Sequence, residues 1–585
     1  MKRAFISALL LVTLLLQCSA LVSCGLSGPY TVTFDCNGGS PVPEAVVVNK
    51  GERLECPPEP ERKGYEFVGW YYKDRVWDFE KDVVKRNMAL SARWRQYGHG
   101  DNPNLIEKDW EGAEFTVLTR EDGIESKAFN IVDVTFGDAD SLSDPVSKAV
   151  YERNETIKSV YNAKVVRKAV SDSNYDAALA DVQANGCEYS AYMVSVAEAL
   201  PLALSGNILD FNSEVSYINL KEEWWDTAAI ESIAVNNRAY YALGDINVVD
   251  DYATYCVFYN RWLANKGGVP YLYDEVKNGN WTIDNMKKWA TAFAADANGD
   301  GEWYGLIYED DFASALLQAG GESPFKMEKN GRLSSRIESE GLKNAIGIIR
   351  DGFMLDCAEN DAWALNVSRE RLDENEARGY FAANRTLFYV SYCGNNARLC
   401  REMAADLGML PLPKLSEGQA EYGSAIRYAD ATCYVVPYSV ADSEFSGFML
   451  EALCYYSSHE YSYNSGLNYV DANRDTAFFH KIDHGFNEIG YFEDNTMKAG
   501  LYAKLMQMRG ANDDDRKEML DIIFRNRVFD IACMGDVGGI NALLARSASS
   551  NAPEDEWWAL METYSEEIER AVADCQDKLL RGGIG

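Results

Sequence analysis

"SDPVSKAVYERNETIKSVYNAKVV", residues 143–166, reads as a helix that runs straight into a strand. Upstream, "AFNIVDVTFGDAD" (128–140) has the composition of a buried strand that ends in a turn. Downstream, "YDAALADVQANG" (175–186) reads as a second helix and "EYSAYMVSV" (188–196) as another strand. Strands that alternate with helices predict an α/β fold, with a mainly parallel sheet covered on both faces.

The chain has 585 residues, and at ~150 residues per domain that length suggests three or four compact units. Hydrophobic residues make up 47% of it, enough for sizeable cores. The formal net charge is −35, which argues against a nucleic-acid partner, since phosphate binding needs clustered Lys and Arg. Such a charge also repels anionic lipid and suits a body tethered near a membrane rather than adsorbed on it. Beyond the N-terminus, no stretch is apolar over the ~20 residues that a spanning helix needs.

The first residues, "MKRAFISALLLVTLLLQCSALVSC", join a basic start to a short apolar run and small residues, the pattern of a secretory signal. Leu21-Val22-Ser23-Cys24, followed by Gly25, resembles a bacterial lipobox. That resemblance implies a signal peptide over 1–23, lipid on the Cys24 sulfur and a short tether over 24–29. The alternative is an ordinary signal peptide cut after Ala20. Of the 13 cysteines, 11 remain after Cys18 and Cys24, with no CxxC pair. They form neither a disulfide framework nor a zinc pattern. Cys36 and Cys56 are the one pair considered for a bridge.

Residues 30–94 read as a separate β unit. "YTVTFDCNGGS" (30–40) alternates β-formers and ends in a hairpin signal, and short strands follow in "AVVV", "GYEFVGWYY", "VWDF" and "ALSARW". "TVTFDCNGG", "GYEFVGWY" and "LSARW" resemble the internalin B-repeat, also called the Listeria–Bacteroides repeat. The resemblance implies a small ubiquitin-like β module that serves as a spacer or in adhesion. The polar, Gly-containing "RQYGHGDNPN" (95–104) reads as the start of a linker placed over 95–124.

The later segments follow a recognisable order. They are "AYYALGDIN" (239–247), "TYCVFYNRWLANKGG" (254–268), "NGNWTIDNMKKWATAF" (278–293), "DANGDGEWYGLIY" (296–308), "ARGYFAANRTLFYVSY" (377–392), "LGMLPLPK" (407–414) and "YADATCYVVPYSVADSEFSGFMLEAL" (428–453). Together they resemble the bacterial extracellular solute-binding lipoproteins of ABC importers, of the sugar-binding type. Asn384-Arg385-Thr386 departs from the Gly-Lys-Ala common in that family. The resemblance implies a two-lobed, periplasmic-binding-protein-like α/β fold. Lobe one is placed at 125–250 with 428–500, and lobe two at 253–425 with 501–585. Chain crossings are expected near 250–255 and 425–430.

In this fold, ligands meet loops at strand ends that face the cleft. Those loops hold Asp138 and Asp140, Ser195 and Glu198, Asp245 and Asn247, Asp310 and Phe312, Tyr392, and Met534 and Asp536. "EEWWD" (222–226) places Trp224 and Trp225 just before the first crossing, and one of them is expected to line the cleft. Enzyme signatures are thin. "HKIDH" (480–484) lacks the Glu of a zinc protease motif, and neither G-x-S-x-G nor a P-loop occurs. Carboxylates are too abundant for composition to rule out a glycosidase pair. "DANGDGE" sets Asp296, Asn298 and Asp300 at alternate positions, with Glu302 beyond, as in a calcium loop, but Ile307 stands where the bidentate Glu belongs. A structural Ca2+ is therefore an option and no cofactor is required.

The resulting expectation is a non-enzymatic, lipid-anchored binder on the outer face of the cell membrane. It captures a carbohydrate, an oligosaccharide or another small solute, and delivers it to an ABC importer permease. A non-transporting surface glycan binder or adhesin is the alternative, and a glycan hydrolase the second.

Overall fold

The structure is a computed structural model. It describes residues 29–62, 65–73, 75–79, 81–96, 104–106, 108–120, 134, 145–170, 173–222, 224–296, 303–309, 311–355, 363–367, 370, 373–458, 513–548 and 557–581. The chain divides into two compact units, 1–101 and 102–585.

The first unit is a five-stranded sheet of β1 (Tyr30–Asp35), β2 (Val46–Val48), β3 (Tyr65–Tyr72), β4 (Arg75–Val76) and β5 (Met88–Gln96), in the order β2-β1-β5-β3-β4. β1 alternates as its sequence demands: Val32 and Phe34 point into the core while Thr31, Thr33 and Asp35 face water. Phe34 meets Trp70 edge-on at 4.9 Å, and the Trp94 indole donates to the Cys36 carbonyl at 2.7 Å. Asn37 and Gly38 take positive φ in the turn after β1. The Cys36–Cys56 pairing is corrected: both are free thiols, Cys36 buried and donating to the Pro41 carbonyl, Cys56 exposed. A thiol facing water and a thiol inside the core do not meet.

The second unit carries the remaining strands. In chain order they are β6 (Ala113–Arg120), β7 (Ala163–Val170), β8 (Ala191–Ser195), β9 (Tyr255–Asn260), β10 (Tyr304–Tyr308), β11 (Phe325–Met327), β12 (Leu333–Ser335), β13 (Ala364–Asn366), β14 (Thr386–Tyr392), β15 (Leu407–Leu410) and β16 (Thr432–Val435). They build two main sheets, ordered β16-β8-β6-β7 in lobe one and β13-β10-β14-β9-β15 in lobe two; β11 and β12 pair apart. In lobe one β6 runs parallel to β7 and β8, and β16 antiparallel to β8. In lobe two β13, β10 and β14 are parallel, and β9 runs against both β14 and β15. The protein is thus a two-lobed α/β molecule with a β-rich N-terminal unit.

The linker expected over 95–124 is corrected at its C-terminal end. Residues 113–120 form the inner strand β6, with Phe115 and Val117 buried in one core and Leu118 in the other. A strand buried on both faces loses the alternation that marks a surface strand, and short charged flanks make it look like linker. The strand read at 128–140 lies outside the described residues, apart from buried Val134.

One core fills the outer face of lobe one, where the helices Pro145–Tyr161 and Ser443–Ser458 cover the sheet. A larger core runs through both lobes: Tyr192 and Val194 belong to it, as do Phe312 and Phe388. The C-terminal helix Trp557–Arg581 feeds Ile568 and Leu579 into that shared core, and the Tyr240 hydroxyl of lobe one donates to the Leu579 carbonyl at 2.7 Å. The C-terminal helices therefore bind lobe one as well as lobe two, which corrects their assignment to lobe two alone.

Candidate functional site

Three chain segments run side by side between the two main sheets, near residues 254, 425 and 527. Thr254 bridges Ile426 antiparallel, and Ser424 bridges Arg527 in parallel. The Tyr255 N–H donates to the Ala425 carbonyl (2.9 Å), Arg427 N–H to Ala253 (3.0 Å) and Val528 N–H to Ser424 (2.9 Å). Sequence reasoning missed the 526–528 crossing because "RNRVFD" carries no signal of a strand end.

Arg527 ties this region together. Its guanidinium is within 2.8 Å of Asp226, 3.1 Å of Asp250 and 2.7 Å of Asp251, with all four side chains nearly excluded from water. Arg suits such a place because its planar fork can serve several carboxylates at once.

Beside the crossings, at the carboxyl ends of the parallel strands of lobe two, polar and aromatic groups converge. Tyr392 ends β14 and pairs in register with Tyr255, the first residue of β9, and the rings meet edge-on at 4.8 Å. The Tyr255 hydroxyl donates to Asp311 Oδ2. Asp311 sits between β10 and the helix Phe312–Ala319, and its Oδ1 accepts nothing from the described residues. Arg427, on the second crossing, lies 5.1 Å from the centre of the Tyr392 ring and 3.1 Å from Asp430. Farther in, the Tyr428 hydroxyl donates to Gln318 Oε1 at 2.5 Å. Burial, reinforced by Asp311 and the neighbouring phenol, holds Tyr255 well above the ordinary tyrosine range; burial and Asp311 do the same for Tyr392. Both phenols stay neutral at physiological pH. The set offers hydroxyl donors, a carboxylate acceptor, a guanidinium and aromatic surface.

The residues singled out from sequence fare differently. Tyr392 belongs to this group and, like Tyr255, is itself largely buried in the shared core, its place in the group resting on its polar neighbours. Asp310 lies outside the described residues, and its neighbour Asp311 is the carboxylate in the cluster. Phe312 is wholly buried in the shared core, so its place as a ligand contact is corrected. Trp224 and Trp225 are both buried, and both indole N–H groups donate to the buried Glu451 carboxylate, at 3.2 and 2.9 Å. Aromatic rings with a polar edge are drawn to a buried acceptor; Trp225 also borders a small pocket with Asp226, Arg527 and Phe529 beside the crossings, and Trp224 does not line it. Ser195 and Glu198 form a capping box on the helix Val196–Leu204, the Ser195 N–H donating to Glu198 at 2.9 Å.

Asp245 and Asn247 are buried, with Asn247 donating to the Thr432 hydroxyl at 3.2 Å. They sit there because Gly244 passes so close to Trp224 and Cys454 that a Cβ would lie 2.6 Å from the Trp224 carbonyl. Met534 is core, while Asp536 is exposed and accepts from the Asn541 N–H at 2.8 Å, stabilising a helix start. Met534 is corrected as a ligand contact, since it is enclosed by apolar neighbours. Cys24, Asp138, Asp140, Asn298, Asp300 and Glu302 lie outside the described residues, and Asp296 closes the helix Ile283–Asp296. Among the described residues no group of three His, Cys, Asp or Glu side chains is arranged to hold a metal ion.

Comparison with known proteins separates the two units. Residues 30–93 match the Listeria-Bacteroides repeat domain. A protein of Evansella cellulosilytica whose name describes it as a membrane protein is 46% identical over 68 residues, 11% of this chain and 10% of that protein. A second, described as a Gly-rich membrane protein, is 43% identical over 68 residues, 11% of this chain and 8% of that protein. The chain spans about a tenth of the length of the curated relatives it matches. Among solved structures, maltose-bound MalE3 of T. maritima is 14% identical, covering 80% of this chain and 99% of its own, with a TM-score of 0.44. The galacto-N-biose-/lacto-N-biose I-binding protein of the ABC transporter from Bifidobacterium longum is 13% identical over 81% and 97%, with a TM-score of 0.46. UgpB from Mycobacterium tuberculosis, in complex with glycerophosphocholine, is 13% identical over 80% and 99%, with a TM-score of 0.47. No helix among the described residues is long and apolar enough to cross a membrane.

Proposed function

We propose that residues 102–585 form a solute-binding body that closes its two lobes on a carbohydrate and hands it to an ABC importer. The observation that carries this reading is the group Tyr255, Asp311, Tyr392 and Arg427, set at the carboxyl ends of lobe-two strands beside three chain crossings. Ligands of open α/β sheets bind outside the carboxyl ends of strands. Crossings paired by single backbone bridges are a suitable hinge for closure. Neutral phenols and an aromatic ring suit the hydroxyls and apolar faces of a sugar, and Asp311 Oδ1 remains to accept a hydroxyl proton.

In the same reading Cys24 carries the lipid anchor and the 30–93 repeat serves as a spacer. Cys24→Ala is then expected to release the protein into the medium or to leave it as uncut precursor. Unchanged membrane association would remove the anchor from the proposal. The binding claim is tested by thermal-shift screening of the protein against oligosaccharides. A ligand at 100 times its dissociation constant stabilises by about 2.7 kcal/mol, a clear shift. Small-angle scattering at saturation is expected to show a smaller radius of gyration, and the ligand is expected to be recovered intact. An unchanged radius sinks closure, and a cleaved glycan moves the protein to hydrolysis.

A further inference from the structure

A cavity lies within lobe two, away from the Tyr392 group. It has a volume of about 570 Å³ and opens between the helix Leu272–Lys277, the helix Asp513–Arg525 and the segment after β15. Its walls carry Lys277, Lys414, Lys517 and Arg525. Two of these cations are already paired. Lys277 is 2.6 Å from Asp515 and 2.9 Å from Glu518, and Arg525 is held by Asp521.

Lys414 is different. It is only 5% exposed, and no carboxylate among the described residues pairs with it. Its ammonium lies 5.3 Å from the centre of the Tyr422 ring. It also approaches Gly279, where a Cβ would come within 3.2 Å of the Lys414 nitrogen. Tyr422 and Gly279 both line the cavity, so the ammonium stands at its wall. The backbone fixes it there: Lys414 N–H donates to the Trp281 carbonyl at 3.1 Å, and Ile283 N–H donates to the Lys414 carbonyl at 2.9 Å. Tyr422 is likewise anchored, accepting from the Trp281 N–H at 3.3 Å. A buried ammonium without a counter-charge is costly, and a ring face repays only part of what water supplied. Held in place by both neighbours, it is prepared for an anion. Lys517, which also has no carboxylate partner among the described residues, adds a second positive charge to the wall, while Glu421 and Asp514 are exposed.

We propose that this cavity is a binding site for a small anionic molecule, a sugar acid or sugar phosphate in size, whose carboxylate or phosphate oxygens meet the Lys414 ammonium. The site is separate from the lobe-closing one, so either can fail without the other.

The test is calorimetric titration of the full-length protein with glucuronate, glucose 6-phosphate and neutral glucose. At least one anion is expected to bind at least tenfold more tightly than glucose, and the tighter of the two assigns the group. Lys414→Gln is expected to lose that binding by tenfold or more, Lys517→Gln by a few fold, and Tyr392→Ala is expected to leave it unchanged. Because Lys414→Gln can fail to fold, the wild-type protein is also labelled with an amine-acetylating reagent and mapped by mass spectrometry. The tighter anion is expected to slow modification of Lys414 at least fivefold, and glucose to leave it unchanged. Equal affinity for glucose and both anions, or no protection of Lys414, overturns the proposal. Loss of anion binding in Tyr392→Ala overturns the separateness of the site.

Discussion

The two lobes place polar groups at comparable points of their sheets and treat them in opposite ways. In lobe one the end of β8 is closed: Ser195 and Glu198 cap a helix, the Ser195 N–H donating to Glu198. One of its polar assemblies is internal, with Glu451 accepting from Trp224, Trp225, Asn104 and the Asn219 N–H. In lobe two the strand ends leave capacity over, with Asp311 Oδ1 accepting nothing from the described residues and Arg427 about a third exposed. A polar residue at a strand end is therefore a poor guide to binding until its hydrogen bonds are followed. Satisfied groups stabilise the lobe that holds them, and the unsatisfied ones are available to a ligand.

This contrast can be broken most forcefully at Glu451. Glu451→Ala orphans two buried indole donors at about 1–3 kcal/mol each, so a loss of about 3 kcal/mol or more is expected in chemical denaturation. A loss within experimental error would show that the lobe-one network is not structural. A smaller effect is expected at the other lobe. Tyr392→Ala should weaken the solute found by screening by about 10- to 100-fold, or about 1.4–2.8 kcal/mol, while Ser195→Ala leaves affinity within about twofold. Equal effects of the two substitutions would erase the distinction between lobes.

The smallest expected effect is on pH dependence. Burial raises the Tyr255 and Tyr392 phenols, so their neutral forms are favoured in the folded protein. Their contribution to stability is present below the unfolded value of about 10 and is lost as pH rises through the higher folded values. Solute affinity is expected to stay flat from about pH 7 to about pH 9.5. A fall centred near pH 10 would show that the phenols titrate as in water.

The α/β alternation and the N-terminal β unit were legible because each rests on local pattern, while the two lobes came only from the resemblance carried by the order of the later segments. The 113–120 strand was not, since burial on both faces removes its alternation. Trp224 and Trp225 stood out as aromatics, but the carboxylate that draws them inward is 226 residues from Trp225 in sequence. Tyr392 could be placed because a strand end is local information. Asp311 was missed by one position, because the first turn of the following helix decides which of two adjacent carboxylates meets Tyr255. Lys414 carried no signal at all: its burial comes from Tyr422, Gly279 and a parallel bridge to Thr282.

Arg527 also imposes an order in time. Asp226, Asp250 and Asp251 precede it by roughly half the chain, and its guanidinium lies among all three. Until residue 527 has been made, these three carboxylates lack the guanidinium that lies among them, which raises the cost of burying them together. The junction of the lobes is therefore completed late, by a residue in about the last tenth of the chain. A chain that stops short of Arg527 is left open at the junction of the lobes, where proteases would find it, however well its earlier strands have paired.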